Sequence, residues 1–162
     1  MDLRVSARRD LLRHTLATLA YRGGKALRGA SSGFSEFKAG PTSRTPGQIL
    51  AHVCDLLDWG LSLAEGTQKW QESKPQSWDD DVKRFHHALA AFDQRLAKDA
   101  ELGSPPERLF QGPVADALTH VGQIAMLRRL AGAAVKGENY HTAEITAGRV
   151  DADQAKPRLE FD

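Results

Sequence analysis

The sequence predicts an all-α protein, a four-helix bundle with an irregular C-terminal tail. Three observations carry this. Four segments repeat apolar residues every three or four positions, the rhythm of a helix that buries one stripe. No stretch alternates apolar and polar residues as a half-buried strand does, and no internal repeat is present. The segments run for roughly twenty residues each, long enough to pack side by side around one core.

The first helix starts at about Leu3 and sets Leu12, Leu16, Leu19 and Leu27 on one stripe. Gly23-Gly24 would normally punctuate it, but Leu27 keeps phase, so the helix is read as continuing through the pair. A Gly/Ser/Pro-rich connection follows from Ala30 to Arg44. Phe34 and Phe37 within it imply a loop folded back over the body. Its length leaves the up-down order of the helices open.

The second helix opens on a start signal: Thr45 as cap, Pro46 at the first helical position, and Gln48 where a capping box needs it. Ile49, Val53, Leu56, Gly60 and Leu63 form its buried stripe. The third begins at Ser77, with Asp79, Asp80 and Asp81 at the positive end of the helix dipole. Val82, Phe85, Leu89, Phe92 and Leu96 follow in phase, and the helix is expected to end near Gly103 and Pro105-Pro106. The fourth is placed from Gly112-Pro113, with Ala117, Val121, Ile124, Leu127, Leu130 and Ala131 inward before Gly132. Residues 1–134 are read as the bundle and 135–162 as an extension packing on it, with a short helix around Tyr140 to Ile145.

Bulk composition narrows the function classes. At 162 residues, with 41% hydrophobic and 27% charged side chains, the chain suits one folded domain. Its 22 basic and 21 acidic residues nearly cancel, which gives no electrostatic ground for a nucleic-acid partner. Arg4, Arg8, Arg9, Arg13, Arg22, Lys25 and Arg28 crowd the first helix at a spacing that reads as a solvated face. A single cysteine excludes an intrachain disulfide. Neither a membrane span nor a secretory signal is visible, so a cytoplasmic location is expected.

The residues that suggest chemistry are Asp116 and His120, which a helical wheel places on the side of Ile124 and Leu127, facing the apolar interior. Four apart on a helix, they point the same way with Cβ atoms about 5–6 Å apart, the bite that a small cation takes from two ligands. His52, on the edge of the second helix's stripe, is the candidate third ligand. Asp55, one turn on, would orient the His52 imidazole or ligate in its place. The simpler alternatives are that Asp116 and His120 bond each other and that His52 donates to a carbonyl. His141 is a candidate fourth ligand or proton shuttle, and Gln123 a partner for a bound water. Cys54 reads as buried filler, and His14, His86 and His87 as flank or surface residues. Trp59, Trp70 and Trp78 read as packing anchors, Trp59 with a place at the cavity.

Two stretches carry a family resemblance: Thr45-Pro46-Gly47-Gln48-Ile49-Leu50-Ala51-His52, and Thr119-His120-Val121-Gly122-Gln123-Ile124. They resemble the signature regions of the DinB-like superfamily of metal-dependent enzymes, over roughly residues 3–132. There, a histidine of the second helix joins an H-x-x-x-H pair on a later one. His52 and His120 fall on the outer positions of that pattern, and Asp116 stands where the middle histidine would be. The resemblance implies a four-helix bundle and a divalent transition metal (Zn, Ni, Mn or Fe) held by His52, Asp116 and His120. It also implies a small-molecule substrate, with a low-molecular-weight thiol as co-substrate in an S-transferase, or else a hydrolase. The carboxylate makes the site harder and cancels one unit of metal charge. The competing class is a non-catalytic, stress-related or binding bundle without metal. A homodimer through an exposed apolar helix face is expected under either.

Overall fold

A computed structural model describes residues 3–161; residues 1, 2 and 162, the outer limits of the predicted bundle and extension, lie outside it, as does the Arg4 side chain. The predicted helices are present: α1 (Leu3–Leu27), α2 (Pro46–Ala64), α3 (Trp78–Ala97), and a fourth rod in three parts. That rod begins as α4 (Pro106–Leu109), passes through a π-helical turn (Phe110–Val114) and continues as α5 (Ala115–Leu130). The bundle surrounds one core in which Leu16, Leu19, Val53, Leu57, Phe85, Leu89, Phe92, Leu96 and Ile124 are shielded from solvent.

Helix starts follow their local chemistry. Thr45 accepts from the Gln48 amide at 3.2 Å, and the Gln48 side chain accepts from the Thr45 amide at 2.9 Å, closing a reciprocal capping box. Ser77 caps α3 through the Asp80 amide. Helix α1 does run on through Gly23-Gly24, and close packing accounts for it: a Cβ on Gly23 would lie 2.6 Å from Phe85 Cζ. Gly60 on α2 admits Phe92 of α3 in the same way, at 2.6 Å from its Cε1.

The fourth rod departs from expectation. Pro105-Pro106 does not close α3, which ends at Ala97; it opens α4, because proline lacks only an amide that the first turn of a helix leaves unused. Pro113 sits inside the rod, where the π turn absorbs the hydrogen bond that proline cannot make. At the far end, Leu130 is 57% exposed and lies outside the buried stripe, where α5 outruns the body it packs on.

The 30–44 connection folds back as expected, with Phe34 buried edge-on against Trp78 at 5.4 Å between ring centroids. Arg128 of α5 reaches across to cap α1, donating to the carbonyls of Ala26 and Arg28 at 3.1 and 2.8 Å. The C-terminal segment is pinned to the bundle. Its two short strands, β1 (Gly137–Glu138) and β2 (Glu160–Phe161), pair antiparallel with Glu138 opposite Glu160. Lys25 of α1 donates to both of these carboxylates, at 2.7 and 2.9 Å, and Tyr21 donates to Glu138 at 2.5 Å. The expected helix around Tyr140 to Ile145 is a single 3-10 turn, Tyr140–Thr142.

Candidate metal centre

Helices α2 and α5 pack against each other and bring three side chains together at their seam. One donor atom from each of His52, Asp116 and His120 lies within 4.8 Å of the others. Asp116 oxygens stand 3.3 Å from His120 Nε2 and 3.8 Å from His52 Nε2. The two imidazole rings meet edge to face, their centroids 4.8 Å apart. Both separations from Asp116 exceed the 2.7–3.2 Å of an N–H···O hydrogen bond. Around an ion at about 2.0–2.1 Å, tetrahedral donors would sit roughly 3.3 Å apart, so a modest rotation of the side chains closes the shell.

The tautomer of His120 sharpens this. Gln123, one turn on, presents its amide oxygen 2.8 Å from His120 Nδ1. With that oxygen accepting, Nδ1 is the donor nitrogen and Nε2 is the ring atom turned toward Asp116. Nε2 then faces a carboxylate oxygen at 3.3 Å. A cation between the two atoms, a proton or a metal ion, satisfies both, and a hydrogen bond on the other ring nitrogen is the support that metal-ligating histidines use. The donor set therefore fits a divalent ion.

His52 is prepared by its surroundings. Burial, the neighbouring His120 and the positive charge of Arg44 hold its pKa below the ordinary imidazole value, against the opposing pull of Asp116 and Asp55. The neutral ring is the form that ligates. Trp70, on the loop between α2 and α3, packs edge-on against it at 5.8 Å and stands at the same distance from Trp59.

Two clefts meet at His52. One, of about 580 Å³, is lined by Ser43, Arg44, Ile49, His120, Met126 and Leu127 among others; the second, of about 440 Å³, by Gln48, Glu72 and Lys74. Arg44 lines both. His52 and His120 thus open onto space sufficient for a small molecule, whereas Asp116 lines neither cleft.

Several expectations need correction. Asp116 does not face the apolar interior: its side chain is 47% exposed at the mouth of the seam, while that of His120 is 14% exposed. Asp55 neither orients His52 nor ligates. It is buried and fully engaged, accepting from Arg84 at 2.7 Å and from the Ser73 amide at 2.8 Å. Gln123 holds the His120 imidazole itself, through its amide oxygen. His141 is exposed in the C-terminal 3-10 turn and does not join the cluster. His86 is not at the surface: the tail covers it, and its Nδ1 donates to the Val150 carbonyl at 3.2 Å. His14 and His87 are exposed, as expected. Cys54 is buried, its thiol pushed well above the ordinary range by burial, consistent with filler. Trp59 borders a shallow depression beside Asp116 and Thr119.

Trp70 and Arg44 are the site residues that sequence reasoning passed over. Arg44 carried a usable signal, since it immediately precedes the cap of the helix that bears His52. Trp70 carried none, because its place depends on the path of a loop. No helix among the described residues is long and apolar enough to cross a membrane. No protein-family model, curated protein or solved structure matches the chain.

Proposed function

We propose that this chain is a metal-dependent enzyme acting on a small molecule, with a divalent transition ion held by His52, Asp116 and His120. The observation that carries the reading is the convergence of one donor atom each from His52, Asp116 and His120 within 4.8 Å of one another. Zn, Ni, Mn and Fe all suit two imidazoles and one carboxylate. When bound, such an ion supplies Lewis acidity toward a water or thiol in the positions that three protein ligands leave open.

The chain's own residues do the rest. Gln123 fixes the tautomer and the angle of His120. Burial and Arg44 keep His52 neutral, and Trp70 shields one edge of its ring from solvent. Asp116 supplies the single negative charge. The resemblance of the His52 and His120 stretches to the DinB-like superfamily supports the same ligand set. It favours an S-transferase using a low-molecular-weight thiol, or a hydrolase, as the reaction class. The competing reading, in which Asp116 merely pairs with the two histidines, expects no metal uptake.

Elemental analysis of protein purified without a metal-affinity step tests this directly. Close to one equivalent of a transition metal per chain is expected. Protein free of metal, which also fails to take up added Zn, Ni, Mn or Fe, would end the reading.

A further inference from the structure

The larger cleft beside the cluster has two chemical ends. Ile49, Met126 and Leu127 give it apolar lining, and Arg44, which with His52 lines both adjoining clefts, gives it a cation. Arg44 takes part in none of the ion pairs found among the described residues. The carboxylates nearest in the adjoining cleft are otherwise occupied or balanced. Asp55 is held by Arg84 at 2.7 Å, and Glu72 shares its cleft with Lys74.

The backbone that presents Arg44 is fixed on both sides. Before it, Ser43 Oγ accepts from the Ala39 and Gly40 amides at 3.1 Å and donates to the Gly40 carbonyl at 3.0 Å. After it, Thr45 is locked in the capping box of α2. The guanidinium therefore starts from a rigid base, on the two clefts that His52 also lines. A divalent ion, one Asp116 carboxylate and one guanidinium sum to two positive charges, which an anionic ligand would neutralise.

We propose that this cleft takes an organic acid with an apolar body, its carboxylate paired with Arg44 and its chain along Ile49, Met126 and Leu127. As a substrate class this rests on the metal-dependent reading of the adjoining cluster; as a binding site it can be tested apart from it. A planar guanidinium recognises a carboxylate by two parallel charge-assisted hydrogen bonds, so charge and geometry both select the anion. The apolar wall contributes in proportion to the hydrocarbon it covers.

Trp70, packed against His52, offers an internal fluorescent reporter. Hexanoate and its neutral isostere hexanamide are titrated against zinc-loaded and chelator-stripped protein, in wild type and in Arg44→Gln. Arg44 is exposed, so the substitution leaves the core intact. The expected result is hexanoate binding about tenfold tighter than hexanamide. In Arg44→Gln that preference disappears while hexanamide affinity stays the same. Equal affinity for the two probes in wild type, or a hexanoate preference that survives Arg44→Gln, overturns the proposal. The two readings fail separately. Protein that takes up no zinc but shows an Arg44-dependent preference when stripped loses the metal and keeps the anion cleft. Zinc uptake with no effect of Arg44→Gln does the reverse.

Discussion

Gln123 holds His120: the amide oxygen lies 2.8 Å from Nδ1, three residues along the same helix. This contact selects which ring nitrogen faces Asp116, so the histidine is aimed before any ligand arrives. Removing such a support from a metal site commonly costs ten- to a hundredfold in affinity. Gln123→Leu should therefore weaken zinc binding by about one order of magnitude while leaving the fold intact, since Gln123 is exposed. Competition against a chromogenic chelator measures this, and unchanged affinity would remove Gln123 from the site.

A second consequence concerns acid. His86 is buried beneath the C-terminal segment, and burial holds its pKa below the ordinary value despite the bond to Val150. A histidine with a depressed folded pKa binds a proton more readily when unfolded. Its destabilising effect is thus absent at high pH, and stability falls as pH drops from the ordinary imidazole value of about 6.5 toward the lower folded value. Urea unfolding of metal-stripped protein at pH 7.5 and 5.5 should show this loss. His86→Asn should reduce it by up to about 1 kcal/mol. The comparison isolates His86 from His52, whose pKa is depressed in both proteins. A loss of the same size in the variant would contradict the account.

Packing supplies a third. Gly60 lets α2 approach α3 and the π turn, and a Cβ there would meet Phe92 at 2.6 Å and Pro113 at 3.2 Å. Alanine favours a helix over glycine by about 1 kcal/mol, but overpacking a filled core costs about 1–3 kcal/mol. The rings cannot retreat into a void, because Phe92 is fully buried. Gly60→Ala should lower stability by about 1 kcal/mol, read as a shift in the urea midpoint without a change in slope. Stabilisation would contradict this account of the contact.

What could be read from the chain divides by range of interaction. The cap at Thr45, Pro46 and Gln48 was legible because every partner lies within one turn. The i, i+4 pairing of Asp116 with His120 was legible for the same reason, and the phase of Leu27 carried α1 through its glycines. The π turn at Pro113 was not. A proline inside a helical rhythm reads as a start, and only the packing of the rod against α2 shows that the helix began earlier. Asp55 looked like a partner for His52 from sequence spacing alone. The register of α2 against α3 gave it to Arg84 instead. His86 looked exposed because the segment that covers it arrives more than sixty residues later. The depth of Asp116 was misjudged because a helical wheel ranks faces and not distance from the mouth of the bundle.

The central claim is that His52, Asp116 and His120 form one coordination sphere. Calorimetric titration of zinc into stripped protein tests it most directly, on wild type, His52→Ala and His120→Ala together. The account predicts one zinc per chain in wild type, and no retained zinc in either variant after desalting. Equal uptake by all three proteins, or none by wild type, would contradict it.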